Sequence, residues 1–77
     1  MPNIDIYDNN DHEYVAKDLE FWGLTDALVA HFFPNANYFN QEVYDACVAL
    51  GDAWARNEPT EEFEAFLGVT VMVHTNL

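Results

Sequence analysis

Positive charge is almost missing from this sequence. Lys17 and Arg56 are the only basic side chains against fourteen Asp and Glu, and the formal net charge is −12 at pH 7. Each cation follows an acid by four residues, Glu13 before Lys17 and Asp52 before Arg56, a spacing at which a helix neutralises it locally. The surface that remains is negative, repelled by nucleic acid and by anionic membranes and attracted to basic protein surfaces. That balance excludes a DNA-reading helix-turn-helix and predicts no direct binding to DNA or RNA at physiological salt.

Cysteine is nearly absent too. Cys47 stands alone and cannot close an internal disulfide, so it reads as a buried thiol in a reducing, cytoplasmic compartment. The opening residues, MPNIDIYDNN, have neither a basic stretch nor an apolar core of the secretory kind. No apolar run approaches the ~20 residues needed to cross a bilayer. Glycine occurs only at 23, 51 and 68, which leaves no glycine-rich phosphate loop. A soluble protein without membrane contact is the expectation.

Hydrophobic residues, by contrast, make up 51% of the chain and aromatics 16%, enough for a core in one small domain covering residues 1–77. The strongest pattern is NQEVYDACVALGDAWARN, residues 40–57. Val43, Cys47, Leu50 and Trp54 recur at helical steps, and Tyr44 and Val48 widen the stripe. Glu42, Asp45, Asp52 and Arg56 fall on the opposite side. Asn40 is placed to cap this helix, and Pro59 forbids continuation beyond Glu58.

The other elements follow in order. Residues 4–7, IDIY, alternate as a short strand. Asn10 and Glu13 have capping-box spacing and predict a helix running to residue 21 or 22, with Val15, Leu19 and Trp22 inward and Gly23 as its stop. Thr25 caps a second helix over residues 26–33, ended by Pro34. Residues 34–39 read as a loop carrying Tyr38 and Phe39. Thr60 caps a last short helix, Glu61–Leu67, with Phe63, Phe66 and Leu67 inward and Gly68 as its stop. A second strand runs from Val69 to His74. The predicted fold is α+β, about four helices packed on a two-stranded sheet formed by the first and last strands. The free edge of the last strand, Val69 to His74, offers a route to a homodimer or to strand addition by a partner.

Catalytic chemistry finds little support. The run Asp8-Asn-Asn-Asp-His-Glu13 offers hard oxygens, with Asp8, Asp11 and His12 as conceivable ligands. It lacks the glycine and distal glutamate of an EF-hand loop, and it reads as a turn and cap. His12, His31 and His74 lie in three different elements without zinc spacing, so no metal and no cofactor is expected. Cys47 sits among apolar neighbours in an acidic protein, which raises a thiol pKa and opposes a nucleophilic role. No enzyme activity is expected.

The acids are better patterned. Asp11 and Asp18, Glu13 and Glu20, and Asp45 and Asp52 are each seven apart. On a helix that is two turns, about 10.5 Å of rise, close to three steps of about 3.4 Å along a DNA strand. Such rows can stand in for phosphates. In size, acidity and lack of catalytic motifs the chain resembles the small acidic anti-defence proteins of phages and mobile elements, including anti-CRISPR and antirestriction proteins. That resemblance implies an inhibitor acting in the host cytoplasm, which covers a basic nucleic-acid-binding surface of a host complex. The predicted contact residues are Asp11, Asp18, Glu20, Asp45 and Asp52, with Glu13 set aside because Lys17 occupies it. Tyr38 and Phe39 form the rival contact site, and a plain interaction module whose acidity serves solubility is the alternative function.

Overall fold

Ile4, Ile6 and Asp8 alternate with Asp5 and Tyr7 along the first strand, β1 (Ile4–Asp8), and the first set is buried. A computed structural model describes residues 2–35 and 37–75 and places β1 at the centre of a three-stranded sheet. Its neighbours are β2 (Glu13–Leu19) and β3 (Val69–Val73), both antiparallel to it, in the order β2-β1-β3. Between β2 and β3 the chain forms a 3-10 turn at Phe21–Gly23 and three helices, α1 (Leu24–Phe32), α2 (Gln41–Ala55) and α3 (Glu61–Leu67). The helices cover one face of the sheet. Ile4, Ile6, Val69 and Val71 from the sheet meet Leu24 and Leu28 of α1, Ala46, Cys47 and Leu50 of α2, and Leu67 of α3.

The α+β class and the pairing of first and last strands agree with the sequence reading. The helix expected between Asn10 and Trp22 is instead β2 and the 3-10 turn, so the sheet has three strands and the helices number three. The reason lies in β1. A buried strand must satisfy backbone donors and acceptors on both edges, and β3 covers only one. Residues 13–19 supply the other ladder, and Tyr14 and Val15 suit a strand at least as well as a helix. Asn10 caps nothing. Trp22, expected inside, is 68% exposed.

The pairing of β1 with β2 shifts register twice, from Ile4↔Leu19 to Ile6↔Ala16 and again to Tyr7↔Tyr14. Extra residues on β2 are taken up as bulges, and Asp18 adopts a positive φ of 55° in this stretch.

α1 begins at Leu24, ahead of Thr25, which therefore lies inside the helix and not at its cap. α2 is capped as predicted, Asn40 Oδ1 accepting from the Val43 N–H at 3.2 Å. Its buried stripe is Ala46, Cys47, Leu50 and Ala53, flanked by partly buried Val43 and Trp54. The stripe thus widens through alanines on the flank away from Tyr44, which is exposed. The helix ends in a Schellman motif. Asn57 takes φ 57°, its N–H donates to Trp54 O, and the Glu58 N–H donates to Ala53 O. Gly51 lets α1 approach, since a Cβ there would collide with the Thr25 side chain. α3 stops at Gly68 in the left-handed conformation, φ 71°. Phe66, expected inward, is exposed.

Leu50 of α2 is fully buried in the core shared by the sheet and the helices. Leu50→Ala should cost about 2–5 kcal/mol by urea denaturation, a large share of the stability of so small a domain. Cys47→Ala, also buried, should cost less because fewer atoms are removed. A loss under about 1 kcal/mol for Leu50→Ala would contradict the packing described here.

Candidate functional site

Three carboxylates are buried or half-buried, Asp5, Asp8 and Glu64, and none is ion-paired with lysine or arginine among the described residues. Asp8 ends β1, nearly buried. Its Oδ1 accepts from the backbone N–H groups of Asn10 at 2.8 Å and Asp11 at 3.1 Å, which closes the β1–β2 turn. Its Oδ2 accepts from His31 Nε2 of α1 at 2.7 Å. Burial pushes the Asp8 pKa up, but the His31 hydrogen bond and the two backbone donors outweigh it and hold the carboxyl below its ordinary 3.8. Asp5, on the opposite face of β1, accepts from the bulged Asp18 N–H at 2.9 Å and from His74 Nδ1 at 2.7 Å. The Asp18 N–H is the main cause of its lowered pKa, opposed by desolvation and aided by His74. Glu64 of α3 accepts from Thr60 Oγ1 at 2.6 Å and from the Val71 N–H of β3 at 2.7 Å.

Asp8, Asp11 and His31 bring ligand atoms within 4.8 Å of one another. His31, from a helix remote in sequence, takes the place that adjacency suggested for His12, which is exposed with φ 56°. Both Asp8 oxygens already accept hydrogen bonds, so a cation here would have to displace His31. The Cys47 thiol is buried, and desolvation pushes it up to about 11, which keeps it protonated and inert at neutral pH.

The other eleven of the fourteen carboxylates are exposed. Among them, the five predicted contact residues do not share the geometry expected. Asp11 sits in the β1–β2 turn, Asp18 on the irregular end of β2, and Glu20 just after it. No helix joins them, so the heptad row on a first helix does not exist. Glu13 and Glu20 likewise form no helical row, because β2 rises about 3.3 Å per residue and carries bulges. Asp45 and Asp52 do lie two turns apart on α2, both exposed, with Asp45 Oδ1 accepting from Gln41 Nε2 at 2.7 Å.

The two cations also sit differently. Lys17 Nζ lies 4.6 Å from the centre of the Tyr14 ring. Among the described residues no ion pair involves Lys17 or Arg56; the pairs are His31–Asp8, His74–Asp5 and the longer His74–Asp18. Glu13 therefore joins the exposed acids.

Tyr38 and Phe39 are 54% and 59% exposed. They form one cluster with Phe33 at the end of α1, whose ring stacks on both at 5.7 Å and 5.3 Å, and Phe39 meets Tyr44 of α2 at 5.6 Å. The sequence signalled the loop pair. The contribution of Phe33 and Tyr44 depends on how the 34–39 loop folds back between α1 and α2.

The Asp8 arrangement fixes an acid-side stability term. Its folded pKa lies below 3.8, so the unfolded chain takes the proton first as pH falls. The contribution is full above the unfolded pKa and is lost as pH drops through the folded one. Asp8→Asn should cost about 1–3 kcal/mol at pH 7 and should show less loss between neutral pH and pH 2 than the native chain. Urea midpoints measured across that range check this. The comparison of the two chains removes the general relief of repulsion that acid brings to both. Equal pH profiles would refute the role given to Asp8.

No protein-family model, no curated protein and no solved structure matches the chain, so its function is read from its own residues.

Proposed function

We propose that this protein is a non-catalytic acidic inhibitor that docks on a basic, nucleic-acid-binding surface of a partner, in the manner of the anti-defence proteins it resembles. The observation that carries the reading is the exposure of eleven carboxylates with no lysine or arginine paired to any of them among the described residues. Such a surface makes a field suited to steering and seating a cationic partner. Asp45 and Asp52 on α2 are the one row whose spacing suits phosphate mimicry. Asp11, Asp18 and Glu20 add charge from the sheet side. The protein itself does not bind DNA or RNA on this reading.

A second reading has its own observation, the aromatic cluster in which exposed Tyr38, Phe39 and Tyr44 gather around half-buried Phe33. An interaction module using that patch would gain its affinity from apolar and aromatic contact, with acidity serving solubility.

Salt and competing DNA separate the two. The immobilised protein should capture host proteins that are released by raised salt and by added duplex DNA, because screening removes the attraction and DNA contests the same surface. Joint charge reversal at Asp11, Asp18, Glu20, Asp45 and Asp52 should lower affinity by roughly tenfold or more, which is about 1.4 kcal/mol, in a variant that still folds. Capture that survives salt and the five reversals, yet is lost on Tyr38→Ala or Phe39→Ala, would favour the aromatic module.

A further inference from the structure

A cleft of about 310 Å³ opens where α2 ends and α3 begins, lined by Pro2, Trp54, Glu58, Pro59, Glu61 and Val73, among others. Its volume lies near the bottom of the range for ligand pockets, which suits one long side chain better than a cofactor. The local sequence explains its shape. Trp54 is partly buried, packed against the core beneath the cleft. The Schellman turn at Asn57 reverses the chain so that Glu58 and Pro59 come back beside the Trp54 turn, with the Glu58 N–H bonded to Ala53 O at 2.8 Å. Pro59 has a ring-fixed φ, which stiffens the lip. Pro2 and Val73, brought together by the pairing of β1 with β3, form the other wall.

The chemistry of the lining is one-sided. Trp54, Glu58 and Glu61 line the same cleft, and among the described residues neither carboxylate has an ion-pair partner. The chain's own Arg56 does not line it. The C-terminus of α2 and the N-terminus of α3 meet here, so their partial charges offset and the carboxylates set the sign of the field. A planar cation that can stack on indole while donating two hydrogen bonds to a carboxylate matches this set better than an ammonium does.

The geometry points to this cleft as an arginine-binding site, seating the guanidinium of an arginine side chain presented by the basic partner. The assignment of that occupant rests on the reading of the protein as a binder of a basic surface. Trp54 gives the stacking face, Glu58 and Glu61 the hydrogen-bond acceptors, and the prolines and Val73 the walls around the aliphatic stem. Neither the α2 row nor the aromatic loop lines the cleft, and the site would fix orientation where the diffuse negative field cannot.

Free probes test the site without the partner. In a Trp22→Phe background Trp54 is the only indole, and acetyl-arginine amide should change its fluorescence saturably. Acetyl-citrulline amide, which keeps the shape and loses the charge, should bind roughly tenfold or more weakly at matched ionic strength. Glu58→Gln with Glu61→Gln, two exposed positions, should leave the circular dichroism unchanged and abolish the preference for arginine. An equal response to both probes, no saturable response, or an arginine preference that survives the double substitution would overturn the assignment. This readout needs no partner, so its failure is distinct from failure of the salt and DNA test, and the five-carboxylate variant should bind acetyl-arginine amide as the native chain does.

Discussion

Fourteen carboxylates and two cations impose the constraint under which the whole fold is built. A carboxylate drawn out of water must be given donors, and ordinary ion pairs cannot supply them here. The chain uses backbone N–H groups, one hydroxyl and two histidines instead. Asp8 takes two N–H groups and His31, Asp5 takes the Asp18 N–H and His74, and Glu64 takes Thr60 and the Val71 N–H. Each set joins elements distant in sequence. Asp8 ties the β1–β2 turn to α1, Asp5 ties β1 to both neighbours of the sheet, and Glu64 ties α3 to β3. These three acids are therefore the polar joints of the fold, and the remaining acids face solvent.

That division bears on function through electrostatics. Lys17 lies over Tyr14, and no carboxylate among the described residues is paired with it or with Arg56. Self-repulsion across such a surface opposes the compact state, and the apolar contacts between β1, β3 and α2 must outweigh it. On the proposed function, a basic partner would relieve that repulsion, and the gain would be screened by salt.

Legibility from sequence followed the range of the interactions involved. α2 was readable in its start and its central stripe, because its apolar period and Asn40 cap are local signals, while its end comes at the Asn57 turn ahead of Pro59. Gly68 was readable as a stop for the same reason. β2 was not. Glu13 and the acids before it imitate the first turn of a helix, and Val15, Leu19 and Trp22 fit a helical face. The requirement that β1 be paired on both edges is visible only once β1 is seen to be buried. The turn-rich run Asp8-Asn-Asn-Asp between two β-prone segments was the available hairpin signal. The joint of Asp8 with His31 spans twenty-three residues and leaves no trace in spacing. The Trp54 cleft was hidden for a related reason, since the same helix face that buries the indole also presents it to a turn formed by a later motif.

The sheet edges carry features that bear on strand addition. In the pairing of β1 with β3, Val71 lies opposite Ile6, and its N–H points away from β1 to Glu64. The centre of the outer edge of β3 is thus already bonded to a carboxylate that is itself held by Thr60. A second copy adding a strand there would have to displace Glu64, strand a carboxylate near the core, and bring together two surfaces of charge −12. The opposite edge of the sheet belongs to β2, whose two register shifts and left-handed Asp18 spoil a continuous ladder. Both edges thus carry features that oppose strand addition and that also serve the polar joints. On the function proposed above, docking through the exposed carboxylates and the Trp54 cleft would require none of these to break.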